Sequence, residues 1–155
     1  MTTPERSRRL TVRMFPDYAG TVLWFGGPVS YEDSGLTQQL IRALQLWEER
    51  YYLSMTQDFE WVSAEAAHRF TAEGNRLAEC VADELGERYD VEFASYEDDV
   101  PARIFRASGP ARNAEAVAAF DTLAATLQTG RDGSGWYAWA PLSDTSFGPR
   151  RNENE

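Results

Sequence analysis

The stretch Asp83-Glu84-Leu85-Gly86-Glu87-Arg88-Tyr89-Asp90-Val91-Glu92-Phe93-Ala94-Ser95-Tyr96-Glu97-Asp98-Asp99 changes its periodicity partway along. Leading into it, Ala67, Phe70, Gly74, Leu77, Val81 and Leu85 recur at helical spacing, and Gly86 stands where a helix is expected to stop. Beyond Gly86, Tyr89, Val91 and Phe93 alternate with Asp90 and Glu92, the period of a half-buried strand. A helix that gives way to a strand across one glycine puts both element types in one packed unit, which decides the class as α+β. The same segment carries eight acids against one base, Arg88, a local charge of −7 in a chain of 155 residues with a net −10.

Upstream, Ser63 supplies the capping oxygen for that helix. Gly74 falls on its inner stripe. A glycine there costs about 1 kcal/mol relative to alanine, so its presence implies the close approach of a neighbouring element. Earlier still, Leu36, Leu40, Leu44, Trp47 and Tyr51 mark the buried face of a helix running to about Leu53, with Asp33-Ser34-Gly35 offering the cap. Leu10–Phe15 and Thr21–Phe25 read as strands joined by the turn Pro16-Asp17-Tyr18-Ala19-Gly20. The apolar run Val22-Leu23-Trp24-Phe25 suits a strand covered on both faces.

Downstream, Ala102–Ala107 is expected to pair with the acidic strand across the turn Glu97–Pro101, bringing Arg103 and Arg106 beside it to neutralise charge. Asn113 caps an alanine-rich helix with Val117, Phe120, Leu123, Ala124 and Leu127 inward and a stop at Gly130, and Trp136–Leu142 supplies a last strand. The expected order is ββααβ(β)α(β): a largely antiparallel sheet with about three helices packed on it. Residues 10–142 read as one domain, and residues 1–9 and 143–155 as loose polar tails.

Composition removes whole classes of chemistry. All 15 basic residues are arginine, so neither a Schiff-base lysine nor a phosphate-loop lysine is available. The absence of lysine fits a GC-rich genome. One cysteine, Cys80, excludes a disulfide framework and multi-cysteine metal sites, and one histidine, His68, excludes any site needing two imidazoles. His68 falls on the outward face of its helix, the position of a solvated side chain, and Cys80 has no neighbours that favour a thiolate. Gly133-Ser134-Gly135 is not a nucleophile elbow. Asp90, Glu92, Glu97, Asp98 and Asp99 form a hard-oxygen set, but their spacing matches no specific cation loop, so no metal or other cofactor is expected.

No apolar run approaches the roughly 18–20 residues that cross a bilayer. No apolar stretch follows the arginines near the N-terminus, so a cytoplasmic location without membrane contact is expected. The acidic balance disfavours phosphate backbones, which argues against nucleic acid and for a basic partner. Aromatic residues make up 13% of the chain. Trp24, Trp47, Phe70, Phe93 and Phe120 sit on inner faces, whereas Tyr52, Trp61, Trp136 and Trp139 lie at element ends or outside clear stripes, where aromatics make contacts with partners or ligands. Leu46 and Leu53, one heptad apart outside the core stripe, mark a small apolar patch.

The pattern Tyr18-x-x-x-x-Leu23-Trp24, Gly35-Leu36-Thr37-x-x-Leu40-x-x-x-Leu44-x-x-Trp47, Gly74-x-x-Leu77-Ala78 and Glu84-Leu85-Gly86-x-x-Tyr89-x-Val91 resembles one shared by small uncharacterised bacterial proteins. The resemblance covers residues 18–93 and implies a shared fold. It carries no activity and no site residues with it.

Two functions follow as expectations. The first is a small acidic protein–protein interaction module that meets a basic partner through Asp90, Glu92, Glu97, Asp98 and Asp99 flanked by Tyr52, Trp61, Trp136 and Trp139, as immunity proteins meet toxins. The second is a ligand-binding domain or small enzyme, with an aromatic-lined pocket where one of those rings meets an acid of shifted pKa.

Overall fold

The computed structural model describes residues 10–133, and the expected hairpin opens the fold. Strands β1 (Leu10–Met14) and β2 (Leu23–Trp24) pair antiparallel, with Arg13 opposite Trp24 and Met14 opposite Leu23. Thr21–Phe25 is buried throughout, and Thr21 is satisfied there by donating its hydroxyl to the Val29 carbonyl at 2.6 Å.

A one-turn helix, α1 (Tyr31–Ser34), follows, capped by Ser30 and closed by Gly35 in the left-handed conformation at φ 72°. Asp33 and Ser34, expected to cap the next helix, are therefore used in a turn of their own. The cap of α2 (Gln38–Leu53) is Thr37, whose hydroxyl oxygen accepts from the Leu40 amide at 3.3 Å. Ser63 caps α3 (Ala64–Leu85) as expected, Gly86 ends it, and the stripe from Ala67 to Leu85 is buried.

Strand β3 (Tyr89–Phe93) lies between β1 and β4 (Arg103–Arg106), giving the order β2-β1-β3-β4. The two outer pairings are antiparallel, while β1 and β3 run parallel from Leu10 opposite Tyr89 to Met14 opposite Phe93. The class is α+β and the sheet is mixed. Its parallel centre arises because α2 and α3 form a crossover that returns the chain beside β1. A period of two fixes which residues face the helices but names neither neighbour nor direction.

The helices pack on one face of the sheet: α3 lies against β3 and β4, and α2 against α3. The last helix, α4 (Ala114–Gly133), runs past the expected stop at Gly130 and is capped by Asn113. Its Phe120 meets Phe25 and Tyr89, and the Tyr89 hydroxyl donates to Asp121 at 2.6 Å. Gly74 is where α3 touches its neighbours most closely, since a Cβ there would stand 2.4 Å from the Phe93 ring and 2.8 Å from the Trp47 indole. The expected tails, 1–9 and 143–155, and the expected strand Trp136–Leu142 lie outside the described residues. Among the described residues no helix is long and apolar enough to cross a membrane.

Candidate functional site

The acidic segment does not form one continuous surface. Asp90 and Glu92 project from β3 on the face away from the helices, opposite Phe93, which meets Trp47 and Phe70. There each acid meets the arginine directly across from it. Arg106 donates to both Asp90 oxygens, at 2.8 and 3.1 Å, and Arg13 lies 3.7 Å from Glu92. Arg106 thus has the neutralising place expected of it, while the Arg103 guanidinium lies over the Phe105 ring at 4.7 Å.

Glu84 is committed to the scaffold. It accepts from the Thr37 amide and hydroxyl and from the Asn113 side chain. Glu97 is held by His68 and by Thr71, whose hydroxyl donates at 2.5 Å. His68 is exposed on the outer face of α3, and this contact with Glu97 is the tie that the helical pattern did not reveal. Asp98 and Asp99 are exposed in the β3–β4 turn. Among the described residues no group of three or more His, Cys, Asp or Glu side chains is arranged to hold a metal ion. Burial pushes the Cys80 thiol up, away from the thiolate that nucleophilic chemistry needs.

The aromatics converge where the carboxylates separate. Tyr51 and Tyr52 leave the last turn of α2. Trp61 comes from the α2–α3 connection, Tyr18 from the β1–β2 turn and Tyr96 from the β3–β4 turn. Tyr18 stacks on Tyr52 with centroids 4.5 Å apart, and Tyr51 is within 6 Å of Tyr52, Trp61 and Tyr96. Phe70 of α3 packs beneath, against Tyr51, Trp61 and Tyr96.

Hydrogen bonds pin the loops to this cluster. The Tyr18 amide donates to the Tyr52 hydroxyl at 2.6 Å, and the Tyr96 hydroxyl donates to the Pro16 carbonyl at 2.8 Å. The α2–α3 connection folds on itself through Thr56 N to Glu60 O at 2.7 Å and Val62 N to Ser54 O at 2.8 Å. Its tip, Phe59, is 74% exposed, and Tyr18 is 67% exposed. Among the described residues three non-glycine residues have positive φ: Tyr18 (54°), Phe59 (62°) and Asp99 (63°), one in each of the three loops. Holding bulky aromatics in that region costs on the order of 1–3 kcal/mol each, and such strain concentrates at functional surfaces.

Of the residues singled out from sequence, Tyr52 and Trp61 are therefore brought together, and Glu97, Asp98 and Asp99 follow directly on Tyr96. Asp90 and Glu92 lie on the other face of β3, and Trp136 and Trp139 lie outside the described residues. Tyr18, Phe59 and Tyr96 were missed. Their signal was a large ring in a polar turn, where no core burial is on offer.

The second expectation required an aromatic meeting an acid of shifted pKa in a cavity. Glu48 is such an acid: burial pushes it up, opposed by hydrogen bonds from Tyr31 and Tyr52. Its place is between those two hydroxyls. Neither the groove between α2 and α3 nor the polar cleft beside α1 has Glu48 in its wall.

Fold and surface define a class, a two-layer α+β domain with an aromatic surface assembled from the end of α2 and three loops. Within it, residues 10–96 match the Serratia CdiI immunity protein-like family, and the chain belongs to that family. The match takes in β1 to β3 and every ring of the aromatic face, ending at Tyr96. No curated protein matches the chain.

Proposed function

We propose that this protein is an immunity protein that binds a toxin and neutralises it by covering its working surface. The observation that carries the reading is the aromatic face, where Tyr51 and Tyr52 of α2 contact Tyr18, Trp61 and Tyr96 from three loops, and where Tyr18 and Phe59 are left open to solvent. Rings already ordered in the free protein lose little freedom on binding, and aromatic anchors of this kind dominate interface energetics. Occlusion needs no nucleophile, metal or general base, which agrees with a chain of one histidine, one cysteine and no lysine.

The exposed carboxylates near these rings, Asp58, Glu60, Asp98 and Asp99, suit a basic partner and steer its approach. Asp90 and Glu92, matched to arginines across the sheet, contribute less to that field than their position in the acidic run implied. The test is co-expression with a candidate toxin whose expression alone arrests growth. Wild-type protein is expected to restore growth, and the Tyr18→Ala/Phe59→Ala variant to fail while accumulating to the same level. Full protection by the variant would remove the proposed surface.

A further inference from the structure

A groove of about 310 Å³ lies between the C-terminal half of α2 and the N-terminal half of α3, behind the aromatic face and sharing Tyr51 and Phe70 with it. Its floor is apolar and rigid. The Trp47 indole stacks on Phe70 with centroids 4.9 Å apart, and its N–H is spent on the Phe70 carbonyl at 3.1 Å. The Ser54 hydroxyl is likewise spent, donating to the Arg50 carbonyl at 2.8 Å. Leu53, 75% exposed, extends the apolar lining outward.

The charges of the groove run against those of the molecule. Arg50 comes from the α2 wall and Arg69 from the α3 wall. Glu73 also reaches the groove, but both its oxygens are taken by Arg76, at 3.2 and 2.6 Å. Arg69 has one exposed contact with Glu65 at 3.4 Å, and among the described residues Arg50 has no ion pair. A protein of net charge −10 thus presents at this apolar groove two guanidinium groups, Arg50 without an ion pair among the described residues and Arg69 in a single exposed contact with Glu65, while the groove's own Glu73 is taken up by Arg76.

We infer that this groove receives a segment of the partner protein in which an aromatic or branched apolar side chain is flanked by carboxylates. The apolar side chain fills the floor over Trp47 and Phe70, and Arg50 and Arg69 take the carboxylates in charge-assisted hydrogen bonds. The inference rests on reading the chain as a protein-binding module, and it adds a second recognition element of opposite charge to the acidic rim. A basic partner surface carrying one acidic, apolar-anchored segment would satisfy both, which gives discrimination against partners that are merely basic.

The test uses short capped peptides titrated into the whole protein and followed by amide chemical shifts. The acidic peptide is acetyl-Glu-Phe-Leu-Asp-amide and its neutral counterpart acetyl-Gln-Phe-Leu-Asn-amide. The acidic peptide is expected to shift residues of the Trp47–Ser54 and Ala66–Glu73 segments with a dissociation constant of about 1 mM or lower, and the neutral one to bind at least about tenfold more weakly. The Arg50→Gln/Arg69→Gln variant, altered only at exposed positions, should lose the same factor while its thermal unfolding is unchanged.

Equal binding of both peptides overturns the inference, as does the absence of shifts at these segments. Free 3-phenylpropionate binding as tightly as the acidic peptide would also overturn it, because the groove would then be a small-molecule site. Failure here leaves growth rescue through Tyr18 and Phe59 intact. Failure of rescue with peptide binding retained would instead remove the toxin reading.

Discussion

Gly74 sits at a helical position where alanine would normally gain about 1 kcal/mol, yet the Phe93 and Trp47 rings occupy the space a Cβ needs. Neither ring is free to yield, since both are buried and the indole is fixed by its hydrogen bond. Gly74→Ala is therefore expected to destabilise the fold by about 2 kcal/mol, the overpacking cost exceeding the propensity gain, as read from urea denaturation. That something came close to Gly74 was legible from its place on the apolar stripe. Which rings came close was not, because they belong to elements distant in sequence.

A second residue-scale consequence concerns the tyrosines. Burial raises Tyr31, Tyr89 and Tyr96 well above the ordinary 10 and pushes Tyr52 up to about 12. An acid whose folded pKa is raised stays protonated in the fold while the unfolded chain ionises, so its contribution is complete below pH 10 and is lost as pH climbs beyond it. The buried Tyr31 and Tyr89 should each lower stability by up to ~1.4 kcal/mol per pH unit above that point. Tyrosinate absorbance should accordingly rise together with loss of the folded circular dichroism. Ionisation of these groups in the intact fold would contradict the packing described.

At the scale of elements, helix positions and their stops were the most readable features, because capping chemistry is local. Ser63, Gly86 and Asn113 stand where they were expected to. The cap of α2 was misplaced for an equally local reason: two oxygen-bearing candidates, Ser34 and Thr37, lie within one turn of each other, and α1 uses the first. What sequence could not show is the junction where Asn113 ties three helix ends together. Its side-chain oxygen caps α4, and its amide reaches the Gly35 carbonyl and Glu84, each at 2.9 Å. Asn113→Ala is expected to cost about 2 kcal/mol in chemical denaturation. Asn113→Asp should not restore it, because the cap is kept while a second carboxylate faces Glu84.

The split of the acidic segment gives a contrast at the same scale. Asp90→Lys sets a cation against Arg106 on a buried part of β3, so it should lower the melting temperature. Asp98→Lys/Asp99→Lys alters only an exposed turn, so it should leave melting unchanged and slow association with a basic partner. Equal melting temperatures for the two would contradict the sheet register.

For the whole molecule, the α+β class was readable from periodicity, but the parallel pairing of β1 with β3 was not, since neighbours in a sheet are chosen by the path of the crossover. The site divides in the same way. Tyr52 and Trp61 were visible as aromatics at element ends, whereas Tyr18 and Tyr96 join them only through tertiary ring contacts and hydrogen bonds, such as that from the Tyr96 hydroxyl to Pro16. Charge density along the chain was a poor guide to surface potential, because the fold takes Glu84, Asp90, Glu92 and Glu97 into internal pairs and leaves Asp98 and Asp99 outside.

The most direct measurement is the affinity of the Tyr18→Ala/Phe59→Ala protein for the toxin proposed as its partner by calorimetry, beside an unfolding curve of the same sample. The expected result is at least about a thirtyfold loss of affinity, the scale of one truncated aromatic hot spot, in a variant that still unfolds cooperatively. Wild-type affinity in a folded double variant would contradict it.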